Sequence, residues 1–282
     1  MTKMRPAAIM LGLFLLTAVT LAAAQADAPF DIERALEQTR RLLLDNPRIG
    51  EHGYLSTAEL RARHEWELER SLSFPKLVRG NPENREIALT FDDGPHPGKT
   101  ERLLRILRNE GVVATFFVVG KKVDEHPELV RREVFEGHEV ANHTYNHIRL
   151  NSLAPALIAA ELHAGSEAIT RAVGSPTRIF RPPGGEYDAE VIEVVKRTGY
   201  VMVLWTDDPG DYSDPGVEWI RTRTVNEASN GGIILLHDGV DQTLEALPQI
   251  LRRLKQQGFR FVTVSEMARE RGVIKTGGPR VP

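Results

Sequence analysis

Ile87-Ala88-Leu89-Thr90-Phe91-Asp92-Asp93-Gly94-Pro95 decides the architecture: a strand-forming apolar run leads directly into two aspartates and a Gly-Pro turn. Beyond it, apolar runs alternate with helical spacing. Strands are expected at 87–91, 113–119, 139–142, 179–181, 201–205, 233–236 and 261–264, with helices at 100–110, 127–136, 156–173, 189–198, 216–228 and 244–257. Such alternation predicts an α/β fold with a parallel sheet covered by helices on its outer side. Seven strands fall one short of the usual eightfold barrel. No G-x-G-x-x-G follows the first strand, which removes one reason for an open doubly wound sheet. The expected architecture is therefore a distorted, closed or nearly closed (β/α)7-8 barrel over residues 85–272, followed by a short tail, 273–282.

Upstream the rhythm differs. Residues 27–84 are charged and punctuated by Pro29, Pro47, Gly50, Gly53, Pro75, Gly80 and Pro82. Helical spacing of Ile32, Ala35, Leu36, Leu42 and Leu43, and again from Leu60 to Leu72, predicts a helical appendage packed on the main domain. Before it, Lys3 and Arg5 precede an apolar run from Ala7 to about Ala24 that ends in Ala24-Gln25-Ala26, the pattern of a secretory signal peptide over 1–26. An uncleaved N-terminal anchor is the rival reading, because the run is close to the lower limit for a bilayer span. An exported protein with no membrane span after cleavage is expected. The chain has no cysteine, which excludes disulfides and a lipid-anchored bacterial lipoprotein. Losing Lys3 and Arg5 takes the formal charge from −3 to −5, so nothing global favours nucleic acid as a partner. A monomer is expected.

Position is the informative property of the polar residues. Asp92-Asp93 follows the first strand and His143 to His147 the third, and Arg181 ends the fourth; Asp207, Asp208 and Asp211 follow the fifth, and His237-Asp238 the sixth. Strand C-termini of a parallel barrel converge on one face, so charged residues at five of them make a site. His143 and His147, four apart, point the same way if their backbone is helical or makes a single turn. With one of the two aspartates they complete a two-His, one-carboxylate set that activates water on a divalent ion. The other aspartate is free to act as general base, and His237, kept protonated by a carboxylate such as Asp211, as general acid. His96 is a weaker candidate for an extra ligand.

Taken in order, Thr90-Phe91-Asp92-Asp93-Gly94-Pro95, His143-Thr144-Tyr145-Asn146-His147, Arg181-Pro182-Pro183-Gly184-Gly185 and Leu235-Leu236-His237 resemble the polysaccharide deacetylases, which share the NodB homology domain (carbohydrate esterase family 4). The similarity runs from about Arg85 to Met267. The resemblance implies a distorted barrel, Asp93, His143 and His147 as metal ligands, Asp92 as base, His237 as acid, and Arg181 orienting the base. It also implies Leu235 lining an acetyl pocket and the Gly184 N–H at the oxyanion. Two departures stand out. Many relatives carry an aromatic residue where Gly184 stands, a wall that Tyr187 is expected to supply here. Asp211-Tyr212 is aligned with an Asp-Trp motif, with Asp208 as the competing partner of His237, and Tyr212 is taken as a substrate contact.

One divalent cation is implied, zinc ordinarily and cobalt or nickel in some relatives. The expected activity is removal of N-acetyl groups from an N-acetylglucosamine-containing polysaccharide such as peptidoglycan or chitin. The alternatives are an O-acetyl esterase of xylan or exopolysaccharide, and a carbohydrate-binding protein without catalysis.

Overall fold

β2 (Glu86–Gly94) is the hub of the sheet. It pairs in parallel with β3 (Thr115–Val118), with β7 (Gly232–His237) and, through its first residues, with β8 (Arg260–Val262). Adding β4 (Glu139–Asn142), β5 (Ile179–Phe180), β6 (Val201–Val203) and β1 (Lys76–Leu77) gives the order β1-β6-β5-β4-β3-β2-β7, every pairing parallel. Past β6 a single parallel bridge, Asp207 to Ile234, links the continuation of β6 to β7 without closing the curled sheet by a ladder. A distorted (β/α) barrel results. This computed structural model describes residues 31–45 and 53–274, so the expected signal peptide at 1–26 and the tail beyond 274 lie outside the described residues. Among the described residues no helix is long and apolar enough to cross a membrane.

Strand period explains which residues reach the barrel interior. Ile87, Leu89 and Phe91 of β2 pack outward with α3 (Lys99–Glu110) and α9 (Asp241–Gln256), against Leu103, Leu107, Leu247 and Leu251. Ala88 faces the opposite way, among Phe117, Phe180, Met202 and Leu235. Thr90 and Asp92 continue the Ala88 side, so a carboxylate stands at the inner mouth of an otherwise apolar barrel. Two apolar clusters, each fully buried leucine contributing roughly 1.5–3 kcal/mol, offset the cost of that polar centre.

The segment expected as a helical appendage does form two helices, α1 (Ile32–Asp45) and α2 (Thr57–Glu69). A boundary at 84, however, cuts through the sheet. Lys76–Leu77 is an eighth strand: Pro75 and Leu77 carbonyls accept from Met202 and Leu204 N–H at 3.0 and 2.9 Å, and Leu60 and Leu77 are buried in the inner core. The remaining helices, α4 (Gly120–Glu125), α5 (Pro127–Phe135), α6 (Pro155–Val173), α7 (Ala189–Thr198), α8 (Val217–Glu227) and α10 (Val264–Glu270), follow the strands.

Candidate active site

Both aspartates of β2 face the barrel mouth because the strand is irregular there. The register with β3 slips between Asp92 and Gly94, and Asp93 takes φ 73. Neighbours on a regular strand point to opposite faces; a bulge with one left-handed residue turns them to the same one. His143 Nε2 consequently lies 3.7 Å from Asp92 Oδ2 and 3.5 Å from Asp93 Oδ1. The left-handed conformation costs a non-glycine residue roughly 1–3 kcal/mol. Lys122 helps hold it, its Nζ donating to the Asp93 carbonyl at 2.7 Å.

His143 leaves the end of β4 and His147 follows in a loop that is not helical, with Thr144 at φ 65 and His147 at φ 55. The buried carboxylate of Glu161, on α6, fixes that loop. It accepts the N–H groups of Tyr145 and Asn146 at 3.1 and 2.8 Å, the Asn146 side-chain amide at 2.7 Å, and the hydroxyl of Thr39 on α1 at 2.8 Å. His147 Nε2 comes to 3.0 Å from Asp93 Oδ1 and 3.2 Å from His143 Nε2. The ligand atoms of Asp93, His143 and His147 all lie within 4.8 Å of one another. His143 Nδ1 donates to the Arg181 carbonyl at 2.8 Å, which leaves the Nε2 lone pair directed at the cluster. Burial raises the Asp93 pKa, but His147 and His143 outweigh it and hold the carboxyl well below its ordinary value. Asp92 Oδ2 is buried without a hydrogen-bond partner. Two imidazoles and an ionised carboxylate converging on one point fit one divalent cation. His96 is no ligand of it: its Nε2 meets Lys122 Nζ at 2.7 Å, and burial together with that ammonium lowers its pKa to about 4.

Arg181, at the end of β5, is fully buried. Its Nη1 donates to Asp92 Oδ1 at 2.7 Å and to Thr90 Oγ1 at 2.8 Å, while the guanidinium lies over the Phe117 ring at 4.1 Å. Asp92 is thereby anchored through one oxygen and presents the other to the site. Beside Asp92, in register with it on the neighbouring strand, stands His237 at the end of β7. The structure brings Asp211, not Asp208, against it: His237 Nδ1 is 2.7 Å from Asp211 Oδ1, and Asp211 Oδ2 accepts the His237 N–H at 2.9 Å and the Thr243 hydroxyl at 2.6 Å. Burial alone would lower the His237 pKa; Asp211, joined by Asp93 and Asp92, outweighs it and raises it to about 9. His237 Nε2 is buried without a partner. Asp208 caps its own turn by accepting the Gly210 N–H at 2.8 Å, and Asp207 is held by the Thr206 hydroxyl.

Leu235 faces inward two residues before His237, and Gly184 sits in a tight turn at φ 68. Tyr212 lies at the rim, its ring 5.5 Å from that of His237. Tyr187 is a correction. Its ring is buried beneath α2, with the Arg63 guanidinium 3.8 Å above it and its hydroxyl donating to Glu67 Oε1 at 2.8 Å, so it offers no wall to a sugar. The aromatic residue at the mouth is Tyr54, 4.4 Å from the Tyr212 ring and 4.8 Å from His237. Sequence reasoning did not single out Tyr54 or Glu161. Glu161 carried a signal, an acid among Leu157, Ile158 and Leu162 on an apolar helix face.

The polysaccharide deacetylase family model matches residues 79–203. A peptidoglycan-N-acetylglucosamine deacetylase of Bacillus cereus is 43% identical over 194 residues, covering 67% of this chain and 91% of its own length. The chain belongs to the polysaccharide deacetylase family. A chitooligosaccharide deacetylase of Bradyrhizobium is 39% identical over 190 residues, 62% of this chain and 87% of the relative. Among solved structures, a peptidoglycan N-acetylglucosamine deacetylase with a bound hydroxamate superposes with TM-score 0.68 at 29% identity, covering 71% of this chain and 94% of that one. A family pseudoenzyme from Bacillus anthracis superposes with TM-score 0.67 at 29% identity, covering 71% of each chain. The metal-ligand cluster and this kinship make the protein a metal-dependent deacetylase.

Proposed function

We propose that the enzyme hydrolyses N-acetyl groups of N-acetylglucosamine units in a cell-wall or chitin-like polymer after export, with zinc as its resident ion. One observation carries the reading: Asp93, His143 and His147, the Arg181-anchored Asp92 and the Asp211-paired His237 all converge on one mouth. Since a pseudoenzyme shares the fold, these side chains carry the argument and the superposition does not. A cation held by Asp93, His143 and His147 supplies Lewis acidity towards the acetyl carbonyl and the attacking water. Asp92, fixed through Oδ1, accepts the water proton at Oδ2. The Gly184 N–H offers a donor to the oxyanion as charge develops there. His237 gives the Nε2 proton to the departing amine, leaving acetate and a free amino sugar. Leu235 shapes the pocket for the methyl group, and Tyr212 flanks the sugar.

Acetate release from chitin oligomers, peptidoglycan and acetylated xylan by the zinc-loaded protein tests this, with Asp92→Asn and His143→Ala as controls. Release from an N-acetylglucosamine polymer that falls at least a hundredfold in Asp92→Asn, with its metal retained, supports the assignment. His143→Ala should lose the metal on dialysis. Release from xylan alone would overturn the N-acetyl reading in favour of an esterase.

A further inference from the structure

Three residues before the Ser56 cap of α2 lie across the barrel mouth. Leu55 N–H donates to the Gly184 carbonyl at 3.0 Å, and the Arg149 guanidinium donates to the Gly53 carbonyl at 3.2 Å. Between these two fastenings the Tyr54 ring stands edge-on to His237 at 4.8 Å, against Tyr212 at 4.4 Å and towards Trp205 at 6.1 Å. Gly184 gives the segment its seat, because a Cβ there would come within 2.7 Å of the Gly53 carbonyl oxygen.

What lies underneath decides the meaning. Asp92 Oδ2 and His237 Nε2, the atoms that accept and donate the protons, are buried and unpartnered, as is the Tyr54 hydroxyl itself. Atoms that water does not reach are closed to a polysaccharide. We propose that Tyr54 is a plug: its ring fills the space of the acylated sugar, and the substrate enters by displacing it. Tyr54 then acts as a competitor built into the chain, which sets KM and selects ligands able to replace its contacts.

A buried hydroxyl without a partner bears a desolvation cost, and the Tyr54 hydroxyl is one; burial, with the carboxylates of Asp93, Asp92 and Asp211 adding to it, raises its pKa and keeps the phenol neutral. An acetamido sugar brings an amide and several hydroxyls able to satisfy the same groups. A closed form that outweighs the open one about tenfold raises the apparent dissociation constant by about the same factor, because affinity scales with the fraction of competent molecules.

The kinetic half of the test rests on the deacetylase reading; the accessibility half does not. Chitotetraose kinetics would be measured for the wild type, Tyr54→Ala, Tyr54→Phe and Leu55→Pro, the last removing the N–H given to Gly184. In parallel, carbethoxylation of His237 by diethylpyrocarbonate would be followed by mass spectrometry, with melting curves to confirm folding. Tyr54→Ala and Leu55→Pro should lower KM about tenfold and speed His237 modification at least tenfold, while Tyr54→Phe keeps the ring and modifies at the wild-type rate. A raised KM with unchanged modification would make Tyr54 a fixed wall of the sugar site and overturn the plug. No acetate release by the wild type would sink the deacetylase reading, and the His237 modification rates would still decide the plug.

Discussion

Replacing Asp211 with asparagine removes one charge from the His237 pair and keeps the side-chain shape. Burial is the largest influence on this imidazole and favours the neutral ring; Asp211, at 2.7 Å, together with Asp93 and Asp92 reverses it and raises the pKa to about 9. Without the charge, burial is opposed only by Asp93 and Asp92, and the value falls towards the ordinary 6.5. A fall of about 2.5 pH units is roughly 3 kcal/mol of lost preference for the imidazolium. The sign follows from the direction. Wild-type His237 is a proton donor below about 9 and loses that capacity as pH rises through it. In Asp211→Asn the donor is already lost on rising through 6.5, so at pH 8 only about 3% remains and turnover falls roughly thirtyfold or more. A cation at the neighbouring cluster lowers both values alike, so the separation of the two alkaline limbs is the quantity to read. Acetate-release profiles of kcat/KM from pH 5 to 10 measure it. Coincident alkaline limbs in the two proteins would refute the role given to the pair. Stability follows the same sign: the contribution of the raised pKa is complete below about 6.5 and is lost as pH rises through about 9.

Arg181→Met leaves Asp92 as a buried charge without its 2.7 Å partner, so about 3–5 kcal/mol of stability should disappear in a urea melt. Arg181→Lys should recover only part of it, because an ammonium lacks the planar fork. Glu161→Gln exchanges one of the two oxygens that accept from the His143–His147 loop and Thr39 for an NH2 donor, and metal affinity should fall about 10–100-fold in competition with a chromophoric chelator. Unchanged affinity would show that the loop holds itself. Stripping the metal should abolish acetate release while leaving the helical circular dichroism intact, since none of the three ligands belongs to either apolar cluster; added zinc should restore activity.

Long periodic segments were legible in the sequence, and short or strained ones were not. α7 occupies the span its spacing predicts, 189–198, because Val191, Val194 and Val195 mark its buried face without ambiguity. Lys76–Leu77 is two residues long and carries no period, so only its partner β6 reveals it as a strand. The aspartate pair was visible, but the reason both members face the mouth, a bulge with Asp93 at φ 73, is a tertiary event. Tyr187 was read as a wall from its proximity to Gly184 in sequence; the turn at Pro183–Gly185 sends it under α2, where Glu67 awaits its hydroxyl. Tyr54 lies some 130 residues from Gly184, and nothing local marks a loop that folds back over a distant turn.

The edge strand has a practical consequence. The family match begins at residue 79, after β1 has ended. A chain trimmed to that limit would bare the N–H groups of Met202 and Leu204, which now give their protons to Pro75 and Leu77. It would also uncover the apolar flank that Leu77 shields. An open edge of this kind recruits strands from other molecules, so the trimmed protein should precipitate or form oligomers on concentration where the longer one stays dispersed. Two residues outside the recognised family span thus serve this barrel as a safeguard against self-association.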